Sequence, residues 1–304
     1  MKCNLCPRKC NADRENGQTG FCRTGATVKA ARAALHMWEE PCISGENGSG
    51  TVFFSGCNLR CVFCQNREIA SGEKGILIET ERLSEIFLEL QEKGAANINL
   101  VTPSHYVNQI REALVLAKSQ GLMIPVVYNT SSYELAETLR QMEGLVDIYL
   151  PDFKYMSSER SMRYSHAPDY AEYAKEALAE MVRQVGAPEF SKETGLMKKG
   201  VIVRHMMMPG SLKDSKAVLR YLYRTYHNEI YISIMNQYTP FSLPEEYHEI
   251  NRHVSKREYE DLIQYALELG IENGFIQEEE AAGESFIPSF HGEGILPIKK
   301  FFKS

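Results

Sequence analysis

A chain of 304 residues with 43% apolar residues can bury a large core, and one large α/β domain with an appendage is the expectation. Its formal net charge of −6 argues against a general binder of nucleic acid or of membrane surfaces, and no apolar run approaches the roughly 20 residues that span a bilayer. The opening MKCNLCPRKC has no apolar core of a secretory signal; the expected compartment is the cytoplasm, where clustered cysteines more often bind metal than pair as disulfides.

Residues 1–50 are rich in cysteine, glycine and charge, show little periodicity, and read as a small appended module with its lead-in. After residue 50, strand and helix signals alternate. TVFFS (51–55) is a strand ending at Gly56. TERLSEIFLELQEKG (80–94) sets Leu83, Ile86, Phe87 and Leu90 on one helical face, with Thr80 as N-cap and Gly94 as stop. NINLV (97–101) is the next strand, and Val107, Ile110, Leu114 and Ala117 mark a helix ending near Gly121. IPVVYN (124–129) is a strand. Ser131 and Glu134 predict a capping box before a helix with Leu135, Leu139 and Met142. VDIYL (146–150) is a strand, followed by helical spacing from Tyr170 to Val185. GVIVRHMMM (200–208) is a strand, Ser211 caps a helix with Val218, Leu219 and Leu222, EIYISIM (229–235) is a strand, and Ser255 with Glu258 starts a last helix. Residues 271–304, with the acidic run Glu278–Glu280, read as an irregular tail. Strands this apolar suit a parallel sheet buried on both faces, and either a partial β/α barrel or a doubly wound sheet fits the alternation.

The cysteines fall in two groups. Cys57, Cys61 and Cys64 lie in GCNLRCVFCQN, directly after the first strand. This spacing on a strand-to-helix loop lets three thiolates converge. Iron–sulfur clusters ordinarily take four, so three leave an open position, and an open position is where a metal site does chemistry. The alternatives are three buried core cysteines, or a zinc site completed by a distant histidine. Cys3, Cys6, Cys10 and Cys22 are a complete set of four for one closed centre, a zinc ion or a second [4Fe–4S] cluster. Such a centre suits a small module that needs a staple. Cys42 stands alone in EEPCISG, with His36, Glu39 and Glu40 nearby in sequence.

The C-x3-C-x2-C string, with Phe63 before its last cysteine, resembles the signature of the radical S-adenosylmethionine (SAM) enzymes. Its context is most similar to the branch containing the pyruvate formate-lyase activating enzymes. Downstream, PDFK (151–154) looks like that branch's Asp-x-Lys motif. VRHMMMPG (203–210) resembles its Arg-bearing strand, and YNT (128–130) falls where the branch places a pair beside a monovalent cation. The likeness covers roughly residues 51–240. It implies a partial (β/α)6 barrel over 51–240, preceded by the cysteine-rich module of 1–50 and followed by a C-terminal helix and tail over 241–304. It also implies a [4Fe–4S] cluster on Cys57, Cys61 and Cys64, with SAM on its open iron. SAM would be cleaved reductively to a 5′-deoxyadenosyl radical that takes hydrogen from a substrate. The electron would come from a donor such as flavodoxin or ferredoxin. Phe63 would lie near the adenine. Asp152, Lys154, Asn129 and Thr130 would contact SAM or the cation's surroundings, and Arg204 the SAM carboxylate or ribose. Every one of these motifs ends a strand, where such barrels carry their sites.

One departure is plain. The family usually ends its second strand with Gly-Gly-Glu, which receives the SAM amino group, whereas this chain reads NINLVTPSHY (97–106). Thr102 and Ser104 offer hydroxyls there in place of a carboxylate. The substrate, a small molecule or a protein or peptide, is not named by the residues. The competing readings are an activase that places a glycyl radical on a partner protein, and a non-catalytic iron–sulfur or zinc protein that carries electrons.

Overall fold

The computed structural model describes residues 2–241, 243–277 and 288–297. Its strands are β1 (Val28–His36), β2 (Ser49–Phe54), β3 (Ile76–Ile78), β4 (Ile98–Val101), β5 (Val126–Thr130), β6 (Ile148–Pro151), β7 (Glu189–Phe190), β8 (Met197–Met206), β9 (Tyr231–Met235) and β10 (Gly274–Ile276). They lie in the order β3-β1-β2-β4-β5-β6-β8-β9-β10, with β7 paired to β8 off this path. All neighbours from β2 through β10 along that path are parallel, whereas β1 and β3 extend the sheet antiparallel. Helices Thr80–Glu92, Val107–Ser119, Tyr170–Val185, Leu212–Tyr226 and Lys256–Leu269 cover the outside. This is a partial β/α barrel. The doubly wound alternative is set aside by the interior, where Val127, Ile148, Leu150 and Ile202 from β5, β6 and β8 meet around Ile43.

Ile43 comes from the connection between β1 and β2, which turns into the barrel lumen through a short helix, Pro41–Ser44. The amide of Asn97 donates to the Ile43 carbonyl (2.9 Å) and the Ser44 hydroxyl accepts the Glu39 N–H (3.1 Å). The connection is therefore tied down on both sides of Glu40. The sheet thus starts at residue 28, inside the stretch whose sequence shows little periodicity. β1 is alanine-rich: Ala30, Ala31, Ala33 and Ala34 are all buried, on both faces. Small side chains covered on both faces give no alternation to read. Residues 292 and 293 add backbone bonds to β1, Gly292 N–H to Ala31 and Ala33 N–H to Glu293. Part of the C-terminal segment is therefore ordered structure; the acidic run Glu278–Glu280 lies outside the described residues.

The expected helix over 131–142 is shorter, Ala136–Leu139 followed by a 3-10 turn, and Ser131 and Glu134 form no capping box. Glu134 points inward instead and accepts the hydroxyls of Ser104 and Thr130. At Ser255 and Glu258 the same pattern does make its box.

Residues 2–27 pack against the loop that follows β2. Arg8 donates to the carbonyls of Asn58 (2.8 Å), Ser165 (3.1 Å) and His166, with its guanidinium over the Phe21 ring (3.9 Å). Arg14 is buried, bonded to the carbonyls of Gly25 (2.8 Å) and His105 (2.5 Å). Among the described residues no helix is long and apolar enough to cross a membrane.

Candidate active site

The loop after β2 is held rigidly before it presents any thiol. Gly56 takes φ +88°, and a Cβ there would sit 2.6 Å from the Cys22 carbonyl oxygen and 2.4 Å from Thr24, so only glycine lets the N-terminal segment approach this closely. Asn58 is fully buried and donates to the Tyr133 carbonyl (2.7 Å), anchoring the loop to the segment after β5. Arg60 adopts φ +54°, which turns the chain between the first two cysteines.

Cys57, Cys61 and Cys64 then line one cavity. The Cys57 sulfur accepts the N–H groups of Leu59 (3.4 Å) and Arg60 (3.5 Å), and the Cys61 sulfur accepts the Ser165 hydroxyl (2.9 Å). Bonds of this kind stabilise thiolates and tune clusters bound through them. Burial pushes the Cys57 thiol up, Cys61 to about 11 and Cys64 to about 12. Without a metal these thiols keep their protons; binding iron would release them. Phe63 is buried against Tyr238, ring centroids 6.0 Å apart.

The opposite wall is made by the ends of the parallel strands, stepped together by backbone bonds. Thr102 N–H donates to Asn129 (2.9 Å), Asp152 N–H to Thr130 (2.8 Å), and Phe153 N–H to Arg204 (2.8 Å). This register brings Thr102, Asn129, Thr130, Asp152, Lys154 and Arg204 to the same cavity as the cysteines. Asp152 pairs with Lys154 (2.7 Å) and Arg204 (3.0 Å). Burial would raise the Asp152 pKa, but these two cations outweigh it and hold the carboxyl below its ordinary value. Lys154 is raised in turn: burial opposes its charge, and Asp152 restores it. Arg204 also donates to Asn129 Oδ1 (2.6 Å) and Glu39 Oε2 (3.1 Å). Its guanidinium therefore sits between Asp152 and Asn129, beside the place expected for a monovalent cation.

Ser104 is the strand-end residue the structure does not bring to this cavity. It is buried and its hydroxyl is donated to Glu134. The N-terminal cysteines lie outside the cavity as well, in one neighbourhood. Cys10 Sγ is 4.0 Å from the Cys3 carbonyl, and the Cys6 thiol, pushed up to about 12 chiefly by burial, also feels Cys22 and Cys3. All eight cysteines are free thiols. Among the described residues no three His, Cys, Asp or Glu side chains gather at the spacing of a single metal ion, the loop trio included. A multi-iron cluster binds its thiolates at separate corners, so they need not meet at one point.

Sequence reasoning gave Glu39 no role. It lines the cavity with His36, between Arg204 and the Asn99 amide (2.8 Å). The only local signal is an acidic pair before a proline, which most often marks a solvated turn.

Residues 51–222 match the Radical SAM superfamily, and the chain belongs to it. An uncharacterized protein of Methanocaldococcus jannaschii, MJ0674, is 28% identical over 276 residues, covering 87% of this chain and 74% of that one. Among solved structures, the FeFe-hydrogenase maturase HydG from Carboxydothermus hydrogenoformans superposes with a TM-score of 0.50 at 12% identity over 78% of this chain and 56% of HydG. Streptococcus suis SuiB bound to S-adenosylmethionine gives 0.48 at 13% identity over 73% of this chain and 48% of SuiB. The chain thus spans about half the length of these two solved proteins. At these identities the likeness concerns the fold.

Proposed function

We propose that this chain is a radical enzyme that binds a [4Fe–4S] cluster through Cys57, Cys61 and Cys64, cleaves SAM reductively, and abstracts hydrogen from a substrate, working in the cytoplasm as an oxidoreductase. The observation that carries this is the cavity. Three thiols line it together with Asp152, Lys154 and Arg204, and among the described residues no fourth cysteine does. Three thiolates are one short of a cluster's usual set, so the remaining position falls to whatever enters the cavity. The donor set fits: soft sulfur ligands, backbone and hydroxyl donors on two of the sulfurs, and a buried setting. When bound, the cluster and SAM supply the electron and the hydrogen-abstracting radical.

The chain's own residues bind, orient and exclude water. Among the described residues, Lys154 spends one donor on Asp152 and keeps two for an incoming carboxylate. Phe53, Phe54, Leu59 and Ile69 make the cavity's apolar lining, which keeps water from a reactive intermediate. Phe63 offers an aromatic face for a nucleobase. The partners on this reading are a small-molecule, peptide or protein substrate and a one-electron donor of flavodoxin or ferredoxin type. The four N-terminal cysteines would hold a second centre, zinc or iron–sulfur; Cys10 lies near Cys3, and Cys6 near Cys22 and Cys3, although among the described residues they do not gather at the spacing of a single ion.

The test is anaerobic reconstitution of wild type and of the Cys57→Ala, Cys61→Ala and Cys64→Ala variants. Wild type is expected to bind iron and form 5′-deoxyadenosine from SAM on reduction. Each variant should lose the cluster's iron and the product. Full iron and SAM cleavage in the triple variant would overturn the assignment.

A further inference from the structure

The cavity wall facing the cysteine loop holds more buried carboxyl groups than cations. Glu39, Glu40 and Asp152 stand against Lys154 and Arg204. His36 beside them does not help: burial, with Arg32 and Arg204, pushes its pKa down to about 4, so it is neutral. One carboxyl group is in excess, and burial pushes the pKa of both Glu39 and Glu40 up, with Arg204 opposing the rise. Glu40 lies behind the wall, whereas Glu39 and Asp152 line the cavity. Asp152 meets a cation at each oxygen, Arg204 at Oδ1 and Lys154 at Oδ2. Among the described residues Glu39 meets one cation, Arg204 at Oε2; its Oε1 accepts the amides of Asn99 (2.8 Å) and Asn129 (3.5 Å).

A buried carboxylate without a full counter-charge is costly, which is why burial raises the Glu39 pKa; a cation entering from the cavity would favour its ionised form and offset that cost. The wall also offers donors for an anion at Lys154. A ligand end bearing a carboxylate and an ammonium on one carbon, an α-amino acid, matches both. We propose that Glu39 receives the α-ammonium group of SAM, an inference that rests on reading the cavity as the SAM site. The second barrel strand offers only the Thr102 hydroxyl there. The carboxylate comes instead from the connection between β1 and β2, folded into the lumen and fixed by Ser44 and Asn97.

The experiment compares three ligands on the reconstituted protein by equilibrium dialysis: SAM, its analogue with hydrogen in place of the α-amino group, and 5′-methylthioadenosine, which lacks the amino-acid end. Wild type should bind SAM about 10- to 100-fold more tightly than the deaminated analogue, as expected for one hydrogen bond to a charged group. In Glu39→Gln that discrimination should largely vanish, with methylthioadenosine affinity unchanged. If Glu39→Gln does not fold, Glu39→Asp, which keeps the charge but withdraws it by one methylene, should lower the discrimination in part. Unaltered discrimination in either folded variant overturns the inference, as does an equal loss for methylthioadenosine. A wild-type protein that binds no SAM overturns the underlying reading instead, and this inference with it.

Discussion

Glu134 is a fully buried carboxyl that accepts two hydroxyls at the ends of β4 and β5. Burial pushes its pKa from the ordinary 4.5 up to about 7, although the hydroxyls of Ser104, Thr130 and Tyr128 oppose the rise. In the unfolded chain the group ionises near 4.5; in the folded one it keeps its proton to about 7. Between these values the folded state binds more protons, so stability falls as pH rises. The contribution is complete below about pH 4.5 and gone above about pH 7. At about 1.4 kcal/mol for each pH unit it amounts to about 3 kcal/mol. Glu134→Gln removes the titration. Its neutral oxygen accepts the Ser104 and Thr130 hydroxyls more weakly, at a cost of about 1 kcal/mol. The variant should therefore be more stable than wild type by about 1–2 kcal/mol at pH 8, and equal or slightly less stable at pH 4.5. Urea unfolding of the metal-free protein at the two pH values reads this from the midpoints, provided the slopes agree. The same pH dependence in both proteins, or a less stable variant at pH 8, refutes the reasoning.

Thr102→Val should weaken SAM binding by about 1 kcal/mol, the net worth of one neutral hydrogen bond, whereas Ser104→Ala should leave affinity unchanged and lower fold stability by a similar amount; dissociation constants and urea midpoints separate the two. Replacing Cys3, Cys6, Cys10 and Cys22 together by Ser should remove the second metal centre while iron at the loop cysteines stays, as read by metal analysis. A quadruple variant with wild-type metal content and stability would show that these thiols are not a site. Ile43→Ala should cost about 2–5 kcal/mol, the usual range for emptying a buried aliphatic position; a midpoint within error of wild type would mean the lumen can collapse around the gap.

The strands that build the barrel were legible because each is a short apolar run with polar or glycine residues at its ends. β2, β4, β5, β6, β8 and β9 all fall within a few residues of their expected bounds. The strand-end residues Thr102, Asn129, Asp152 and Arg204 were picked out by the family resemblance, and parallel register carries them to one rim. What failed did so for tertiary reasons. Ser131 and Glu134 carry the same capping signature as Ser255 and Glu258. Glu258 is part-exposed and accepts hydrogen bonds from Arg252 and the Gly210 N–H as well as the Ser255 N–H, so those partners do not take it from the cap. Glu134 finds two buried hydroxyls, one of them thirty residues away in sequence, and these take it from the cap. Glu39 was illegible for a related reason: nothing in MWEEPC says that the connection folds into a lumen rather than over the surface. β1 escaped because its alanines are covered by a segment more than 250 residues downstream, as the Arg32 and Ser289 pair illustrates.

The docking of the first residues has a consequence for how the protein is made. Arg8 leaves the ribosome long before its partners at Ser165 and His166, which lie 157 and 158 positions later. At ordinary rates of synthesis that interval lasts roughly 8–30 s. Through it, Cys3, Cys6, Cys10 and Cys22 have no seat against the loop of Cys57, and Cys57 has no lid of Cys22 and Thr24 over Gly56. The nascent chain thus shows the cell eight uncommitted thiols before the scaffold that arranges them exists, and delivery of metal and protection from oxidation must both be timed to the emergence of the segment after β6 rather than to that of the cysteines themselves.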